Sequence, residues 1–419
     1  MRTRSFTPSG LIRGWYSVLL ILCCAPAYVV AQPPEAVDAP LPIRLGMSTA
    51  LSGPAQFLGY HMKLGVEAAI HEANQAGGVH GRSIELVAFD DGYEPGRTAP
   101  NMRRLINEEG VVAVVGNVGT PTAVAAIPIS NELRTPFYGA FTGAGVLRKT
   151  PPDRYVVNYR ASYAQETASM VDALIEIAGL RPEEVAFFTQ RDAYGDDGFQ
   201  GGVQALVRHG LTDLSQIAHG RYSRNTIAIE NALADIMQAP TPCRAVIMVG
   251  AYTPCAKFIK LAREVGLNPI FLNVSFVGAM PLANALGDDA EGVIVTQVVP
   301  SPEGKSPIIV EYREALMAID PKAELTYGSL EGYLSTRVLL RAMSGIPGEI
   351  DRESIIAALE SLGQFELGEG FLMSLDGLDH QASDRVWASV ITGGSVVPFQ
   401  WDQLRSSGNF MAETETDAE

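Results

Sequence analysis

Residues 43–73 read IRLGMSTALSGPAQFLGYHMKLGVEAAIHEA, and the two rhythms in that stretch decide the fold. The segment 43–49 is a short run without helical period, followed by the turn residues Ser52-Gly53-Pro54, and reads as a buried strand. The next segment places Leu58, Met62, Gly65, Val66, Ala69 and Ala73 on one face at helical spacing. A strand feeding a helix in this way is one βα unit. It recurs downstream as strand 84–89, helix 98–109, strand 111–115, helix 122–133 and a short strand 137–139. Parallel strands with helices on both faces bury such continuous apolar runs, so this set predicts a doubly wound α/β sheet.

The rhythm restarts after Pro151 and Pro152, with a helix over 165–178 that repeats apolar positions at Met170, Val171, Leu174 and Ile177. Strands are expected over 185–189, 216–220, 245–249, 270–273 and 293–296, separated by helices over 198–209, 227–238 and 256–265. The last third carries helical runs over 308–319, 329–344 and 353–362, then short β-like pieces from Phe371 onward. Two complete sheets in one chain imply two lobes with a cleft between them.

The chain has 419 residues, 47% hydrophobic and 19% charged, which suffices for two domains and excludes a disordered or collagen-like polymer. The net charge is −16. Nucleic acid and anionic lipid both demand a cationic footprint, so neither is an expected partner. At the N-terminus Arg2, Arg4 and Arg13 precede an apolar stretch from Trp15 to Cys24 and the small residues Ala25, Ala27 and Ala31. That layout is a secretory signal peptide over 1–31, cleaved after Ala27 or Ala31. Its apolar core is about ten residues against the roughly twenty that span a bilayer, and the competing reading is an uncleaved anchor. The C-terminal residues 403–419 read as a disordered acidic tail.

Beyond the leader only Cys243 and Cys255 remain, in an oxidising compartment. A strand lies between them, which sets them roughly 20 Å apart at about 3.3 Å per residue. A disulfide needs Cα atoms within about 7 Å, so both are expected as free, buried thiols. His61, His71, His80, His209, His219 and His380 show no metal-ligand spacing, and no metal or other cofactor is expected.

The order of motifs resembles the periplasmic branched-chain amino-acid (Leu/Ile/Val-type) binding family, the type 1 solute receptors of ABC importers. The residues that carry the resemblance run from about Ile43 to Phe399: Leu51-Ser52-Gly53-Pro54, Asn74 to Gly81, Asp90-Asp91, Gly116 to Thr122, Ala193-Tyr194-Gly195 and Gly250-Ala251-Tyr252. The resemblance implies a venus-flytrap of two doubly wound parallel-sheet lobes joined by three crossovers, expected at 158–161, 297–301 and 367–371. Lobe 1 would then comprise 42–159 plus 300–367, and lobe 2 would comprise 160–299 plus 368–402.

In parallel α/β sheets ligands gather beyond the C-terminal strand ends. Gly116 to Thr122 is such a place: glycines admit a close ligand, Thr120 and Thr122 offer hydroxyls, and the following helix presents unpaired N–H groups to an anion. The competing use of this stretch is a glycine-rich turn with a threonine cap. The resemblance aligns Thr120 with the residue that holds the ligand carboxylate. Phe141, Thr142 and Gly143 lie on the next strand-end loop, where the family usually supplies a hydroxyl; it aligns near Gly143, with Thr142 as its substitute. Tyr194 and Tyr252 stand where the family places cleft aromatics. Gln56, Phe57 and Leu58 on the first loop either form a side-chain pocket or pack as core.

One departure matters. Family members that bind α-amino acids carry an acid after the strand equivalent to 270–273, and Ser275 stands near that position. A buried ammonium left without its charge partner costs about 2 to 5 kcal/mol, roughly thirtyfold to several thousandfold in affinity. The expected ligand is therefore a carboxylate, amide or aromatic compound lacking an α-ammonium, unless Asp192 or Glu331 replaces the acid.

The expected function is a periplasmic, non-catalytic, monomeric receptor that closes on a small solute and delivers it to ABC transporter permease subunits, with no membrane insertion of its own after leader cleavage. The alternative is a sensing module acting with a separate chemoreceptor or histidine kinase. An enzyme is disfavoured, since GxSxG, P-loop and strand-following GxGxxG motifs are missing. Asp90 and Asp91, adjacent at a strand end, point to opposite faces and are expected to orient loops.

Overall fold

The computed structural model describes residues 14–15, 40–368 and 370–405. The segment expected as a signal peptide lies outside the described residues apart from Gly14 and Trp15, as does the part of the expected acidic tail beyond Arg405. Contacts divide the chain between Ala39 and Pro40, and both sheets belong to the unit that begins at Pro40.

The first sheet contains β1 (Ile43–Thr49), β2 (Ile84–Asp90), β3 (Ala113–Val115), β4 (Phe137–Tyr138) and β5 (Val156–Val157) in the order β2-β1-β3-β4-β5, all parallel. Its helices are α1 (Gln56–Gln75), α2 (Pro95–Asn107) and α3 (Thr120–Glu132). The second sheet begins after α4 (Tyr163–Asp172) with β6 (Val185–Gln190), β7 (His219–Tyr222), β8 (Ala245–Val249), β9 (Ile270–Asn273) and β10 (Ile294–Gln297). Helices α5 (Ala193–Arg208), α6 (Glu230–Met237), α7 (Tyr252–Glu264) and α8 (Ala279–Leu286) cover it. The chain then returns to lobe 1 as α9 (Pro307–Ile319), α10 (Tyr327–Ser344), α11 (Arg352–Glu360) and the hairpin β11 (Gly363–Glu366) and β12 (Leu372–Leu375). Strands β13 (Trp387–Thr392) and β14 (Ser395–Phe399) add antiparallel to the second sheet, whose order is β14-β13-β10-β9-β8-β6-β7. This is the two-lobed type 1 venus-flytrap architecture.

Several elements differ from the sequence expectation, each for a physical reason. Helix α5 starts at Ala193 rather than 198, because the Asp192 carboxylate caps it by accepting from Tyr194 N at 3.1 Å. Its glycines, which read as breakers, are close-packing points. A Cβ at Gly202 would lie 2.4 Å from the Phe187 ring, and one at Gly201 would lie 2.5 Å from Ala164 Cα. The short strands β5 and β11 and the helix α8 carry too few residues to show a period.

The third crossover is not at 367–371. Leu367 N donates to Phe371 O at 3.2 Å, which makes that segment the turn of the β11–β12 hairpin. Phe365, Phe371, Met373 and Leu375 are buried in the same core as Ile43 and Val115, so lobe 1 extends past 367. The returning chain instead runs beside the first crossover: Asn158 N donates to His380 O at 2.7 Å and Ser383 N to Tyr159 O at 3.0 Å. It enters the second sheet only at Trp387. At the other end, residues 403–405, read as tail, belong to a 3-10 helix (Trp401–Arg405) whose Leu404 is buried.

Cys243 and Cys255 are free and buried. Burial pushes the Cys243 thiol up to about 11. Among the described residues no helix is long and apolar enough to cross a membrane.

Candidate ligand-binding site

Asp90 and Asp91 shape the lobe 1 rim. The Asp90 carboxylate accepts from Leu51 N, Ser52 N and Gly92 N at 2.9, 3.1 and 2.9 Å, tying the first loop to the end of β2. Partial burial opposes its ionisation, but bonds from Ser52, Leu51, Arg97 and Gly92 win and hold it at about 2. Asp91, fully buried, accepts from Ser48 Oγ, Thr98 Oγ1 and Tyr93 N, so it fixes Tyr93. The Tyr93 ring then covers Gly119, where a Cβ would lie 2.1 Å from it and where φ is 99°. Only glycine fits there.

Thr120 opens α3 immediately after that glycine, and its hydroxyl lies 2.7 Å from Thr142 Oγ1. The loop register thus settles on Thr142 as the partner hydroxyl. Gly143 instead presses against the next element, with a Cβ there only 2.6 Å from Tyr163 N, so no side chain fits at that position. Thr122 is turned back into its own helix, its hydroxyl donating to Val118 O at 2.5 Å and Gly119 O at 2.8 Å. Its hydroxyl is occupied by the backbone.

Above the hydroxyl pair the two lobes meet through rings. Phe276, which follows Ser275, lies 5.9 Å from Tyr93 and 5.6 Å from Phe141 in lobe 1, and 4.7 Å from Tyr194 in lobe 2. Tyr163 adds a fourth wall, 5.1 Å from Tyr194. Its buried hydroxyl sits beside Thr142. Tyr194 donates to Gly250 O at 3.2 Å. All of these rings are buried, and the Phe276 side chain occupies the space between them.

Ser275 stands in a buried charge cluster. Its N–H donates to Glu166 Oε2 at 2.7 Å and its hydroxyl to Glu166 Oε1 at 3.0 Å, while Thr296 Oγ1 donates to Glu166 Oε2 at 2.6 Å. Arg160 donates through Nη2 to Ser275 Oγ. The same guanidinium lies 3.6 Å from Glu166 and 3.6 Å from Glu331, with Cζ 4.8 Å from the Phe141 ring centroid. Burial opposes the Arg160 charge, yet the two carboxylates raise its affinity for the proton. Glu331 is lifted to about 7, chiefly by burial, with Arg160 opposing and Glu166 adding. Of the two acids considered as replacements at Ser275, Glu331 faces Arg160 in this cluster. Asp192 is occupied as the α5 cap and by Gln190 Nε2 at 2.8 Å.

A cavity of about 290 Å³ lies beside this cluster, walled by Phe57, Leu58, His61, Phe141 and Glu331 from lobe 1 and by Ser275 and Gly278 to Pro281 from lobe 2. Its size is near the lower bound of small-molecule sites. Thr120, Thr142 and Tyr194 are not on its wall. Gln56 and Tyr252 line a separate outer groove with Phe57 and Tyr60, and the Tyr252 hydroxyl bonds the Phe57 backbone across the lobes. The eleven residues selected from sequence thus divide into three groups: a sealed hydroxyl and ring cluster, a cavity edge formed by Phe57, Leu58, Phe141 and Ser275, and an outer rim.

Sequence reasoning missed Arg160, Glu166, Tyr163, Tyr93, Phe276 and His61. Arg160 left one trace, being the lone charge between Arg154 and Glu166 at an expected crossover. The others carry no local signal.

A periplasmic binding protein family model matches residues 42–395. A solved structure described as a possible leucine/isoleucine/valine-binding protein from Rhodopirellula baltica SH 1 is 52% identical, with a TM-score of 0.85 over 89% of this chain and 100% of that one. A substrate-binding periplasmic protein from Ralstonia solanacearum is 28% identical with a TM-score of 0.77, covering 85% of this chain and 100% of that one. The Leu/Ile/Val-binding protein homolog 7 of Brucella abortus (strain 2308) is 26% identical over 379 residues, covering 85% of this chain and 91% of its own.

Proposed function

This chain belongs to the periplasmic binding protein family, and we propose that it is a non-catalytic receptor that captures a small solute between its lobes in the periplasm and hands it to the permease of an ABC importer. The observation that carries this reading is the interlobe cavity, whose wall is shared between Phe57, His61 and Glu331 on one lobe and Ser275 and Met280 on the other. A solute held there touches both walls only when the lobes meet, so binding shifts the population toward the closed form.

The solute is not a leucine-type α-amino acid in this reading. Ser275 replaces the acid that pairs an α-ammonium, and the neighbouring Glu166 is already engaged by Ser275, Thr296 and Arg160. Secretion through the leader at 1–31 accounts for the periplasmic location.

Small-angle scattering on the purified chain, with hits from a thermal-shift screen of carboxylates, amides and amino acids, tests the proposal. Compaction by a hit that is recovered unaltered supports it. A confirmed tight binder that leaves the scattering curve unchanged, or is converted chemically, overturns it. Leucine or valine binding at micromolar affinity overturns the argument from Ser275.

A further inference from the structure

Resting on that receptor reading, we infer that the cavity selects a neutral carboxamide-type head, held between His61 and Glu331, on a compact apolar body that packs against Phe57, Leu58 and Phe141. Two buried polar atoms on the cavity wall point to it. Glu331 Oε1, whose ion-pair partner Arg160 Nε lies at 3.6 Å beyond hydrogen-bond reach, and His61 Nδ1 both lack a hydrogen-bond partner, and both residues are more than nine-tenths buried. Buried polar groups of this kind are rarely left unmatched, because each forfeits its water without compensation.

They come from different helices, brought together by a glycine crossing. A Cβ at Gly65 of α1 would lie 1.9 Å from Ser329 O of α10, and one at Gly332 of α10 would lie 2.4 Å from Met62 O of α1. The helices therefore touch backbone to backbone there, and His61 and Glu331, each near the crossing in sequence, face the same cavity.

The charge around them argues against an ionic head. Arg160 is already paired with Glu166 and Glu331, Arg148 gives its donors to Gln381 and to the Thr142, Ala144 and Arg160 carbonyls, and among the described residues no arginine or lysine lines the cavity. Burial holds the His61 imidazole neutral at ordinary pH, its pKa lowered to about 4. A carboxylate entering this site meets no cation on the wall, and an ammonium beside Glu331 draws on a carboxyl already paired with Arg160 and lifted to about 7, so either head brings a poorly compensated charge, which is expensive in low dielectric. A carboxamide brings none. Its N–H donates to Glu331 Oε1, and its second N–H or its carbonyl meets His61 Nδ1 according to the imidazole tautomer. The cavity, about ten times the volume share of a water, holds such a head with a small branched or aromatic body.

Titration calorimetry of the full chain with isovaleramide, benzamide and phenylacetamide, each beside the acid and the amine of the same body, tests this. At least one amide binds tenfold or more tighter than its matched acid and amine. Glu331→Met weakens that amide tenfold or more, whereas Glu331→Gln, which keeps an acceptor oxygen, stays within about threefold. Where Glu331→Met fails to fold, His61→Phe gives the readout through a loss of about fivefold or more. A matched acid or amine that binds equally well, an unchanged affinity in the His61 variant, or no binding by any of the amides overturns the inference. If another solute still compacts the chain, the receptor reading survives that failure; if no solute in the screen does, both fall.

Discussion

Glu94 on the lobe 1 rim is held from lobe 2 by Arg224, whose Nη2 lies 3.0 Å from Glu94 Oε2. Arg224 Nη1 also donates to Tyr93 O at 2.6 Å, and Asn225 Nδ2 donates to Glu94 Oε1 at 2.6 Å. Tyr93 and Asn225 both take left-handed backbone, φ 64° and 57°, to make this contact. Because Gln190 Nε2 donates to Tyr93 Oη at 3.1 Å from the same lobe, Tyr93 is gripped at both ends.

These contacts exist only when the lobes meet, so weakening them should change closure more than folding. A partly exposed ion pair is worth about 0.2–1 kcal/mol, and a net hydrogen bond about 1 kcal/mol. Arg224→Ala should lower solute affinity about five- to thirtyfold with little change in Tm. Asn225→Gly keeps the left-handed turn and should lose about fivefold. Scattering of the unliganded variants should show a more open average. Affinity equal to wild type in both variants would remove this contact from the closure balance.

Glu166 has a different role, since it accepts three hydrogen bonds with no exposure to solvent. Removing one member of a buried ion pair costs about 3–5 kcal/mol, because its partner is left uncompensated. Glu166→Ala should destabilise the chain by that amount in urea unfolding, and Glu166→Gln by less. A loss under about 1 kcal/mol in Glu166→Ala, the worth of an exposed pair, would show that Arg160 does not depend on it.

Glu331 and His61 should leave opposite signatures in the pH dependence of stability. Folding raises the Glu331 pKa to about 7, so its contribution is fully present below the unfolded value near 4.5 and is lost as pH rises through about 7. Folding lowers the His61 pKa to about 4, so its contribution is present above about 6.5 and is lost as pH falls through about 4. Relative to wild type, Glu331→Gln should gain stability from pH 4.5 to 7, by about 3 kcal/mol at most. His61→Gln should gain it from pH 6.5 down to 4. Urea unfolding across that range checks both, and parallel curves for variant and wild type would refute the assignment.

The helix crossing at Gly65 admits no side chain. Gly65→Ala sets a methyl 1.9 Å from Ser329 O, so the helices must separate or distort. The cost should be about 1–3 kcal/mol by thermal or urea unfolding, as for overpacked cores. The same shift separates His61 from Glu331, so solute affinity should fall too, whereas Gly348→Ala, exposed, outside the left-handed region and with open space around its Cβ position, should leave affinity unchanged.

The alternation of strands and helices was legible from residues 43–73 onward because burial on both faces demands continuous apolar runs, and β1, β8 and β9 fall where the apolar runs end. The glycines of α5 misled for the opposite reason. They report what packs on the helix, which is written elsewhere in the chain. The hairpin β11–β12 shows the same limit: its residues read as β-like, but only the burial of Phe365 and Phe371 against lobe 1 assigns them to that lobe.

At the site, sequence alone determined that hydroxyls, rings and glycines stand at the C-terminal strand ends, since those positions are set by each βα unit by itself. It determined too that Ser275 carries no charge. Which groups line the cavity between the lobes was decided by the tertiary structure. Phe276 fills the space between the lobes, Arg160 is matched by acids 6 and 171 residues away in sequence, and α1 meets α10 through bare glycine backbone. Those relations depend on how two lobes and two helices approach, and approach is governed by shape complementarity between distant segments, which no local pattern encodes.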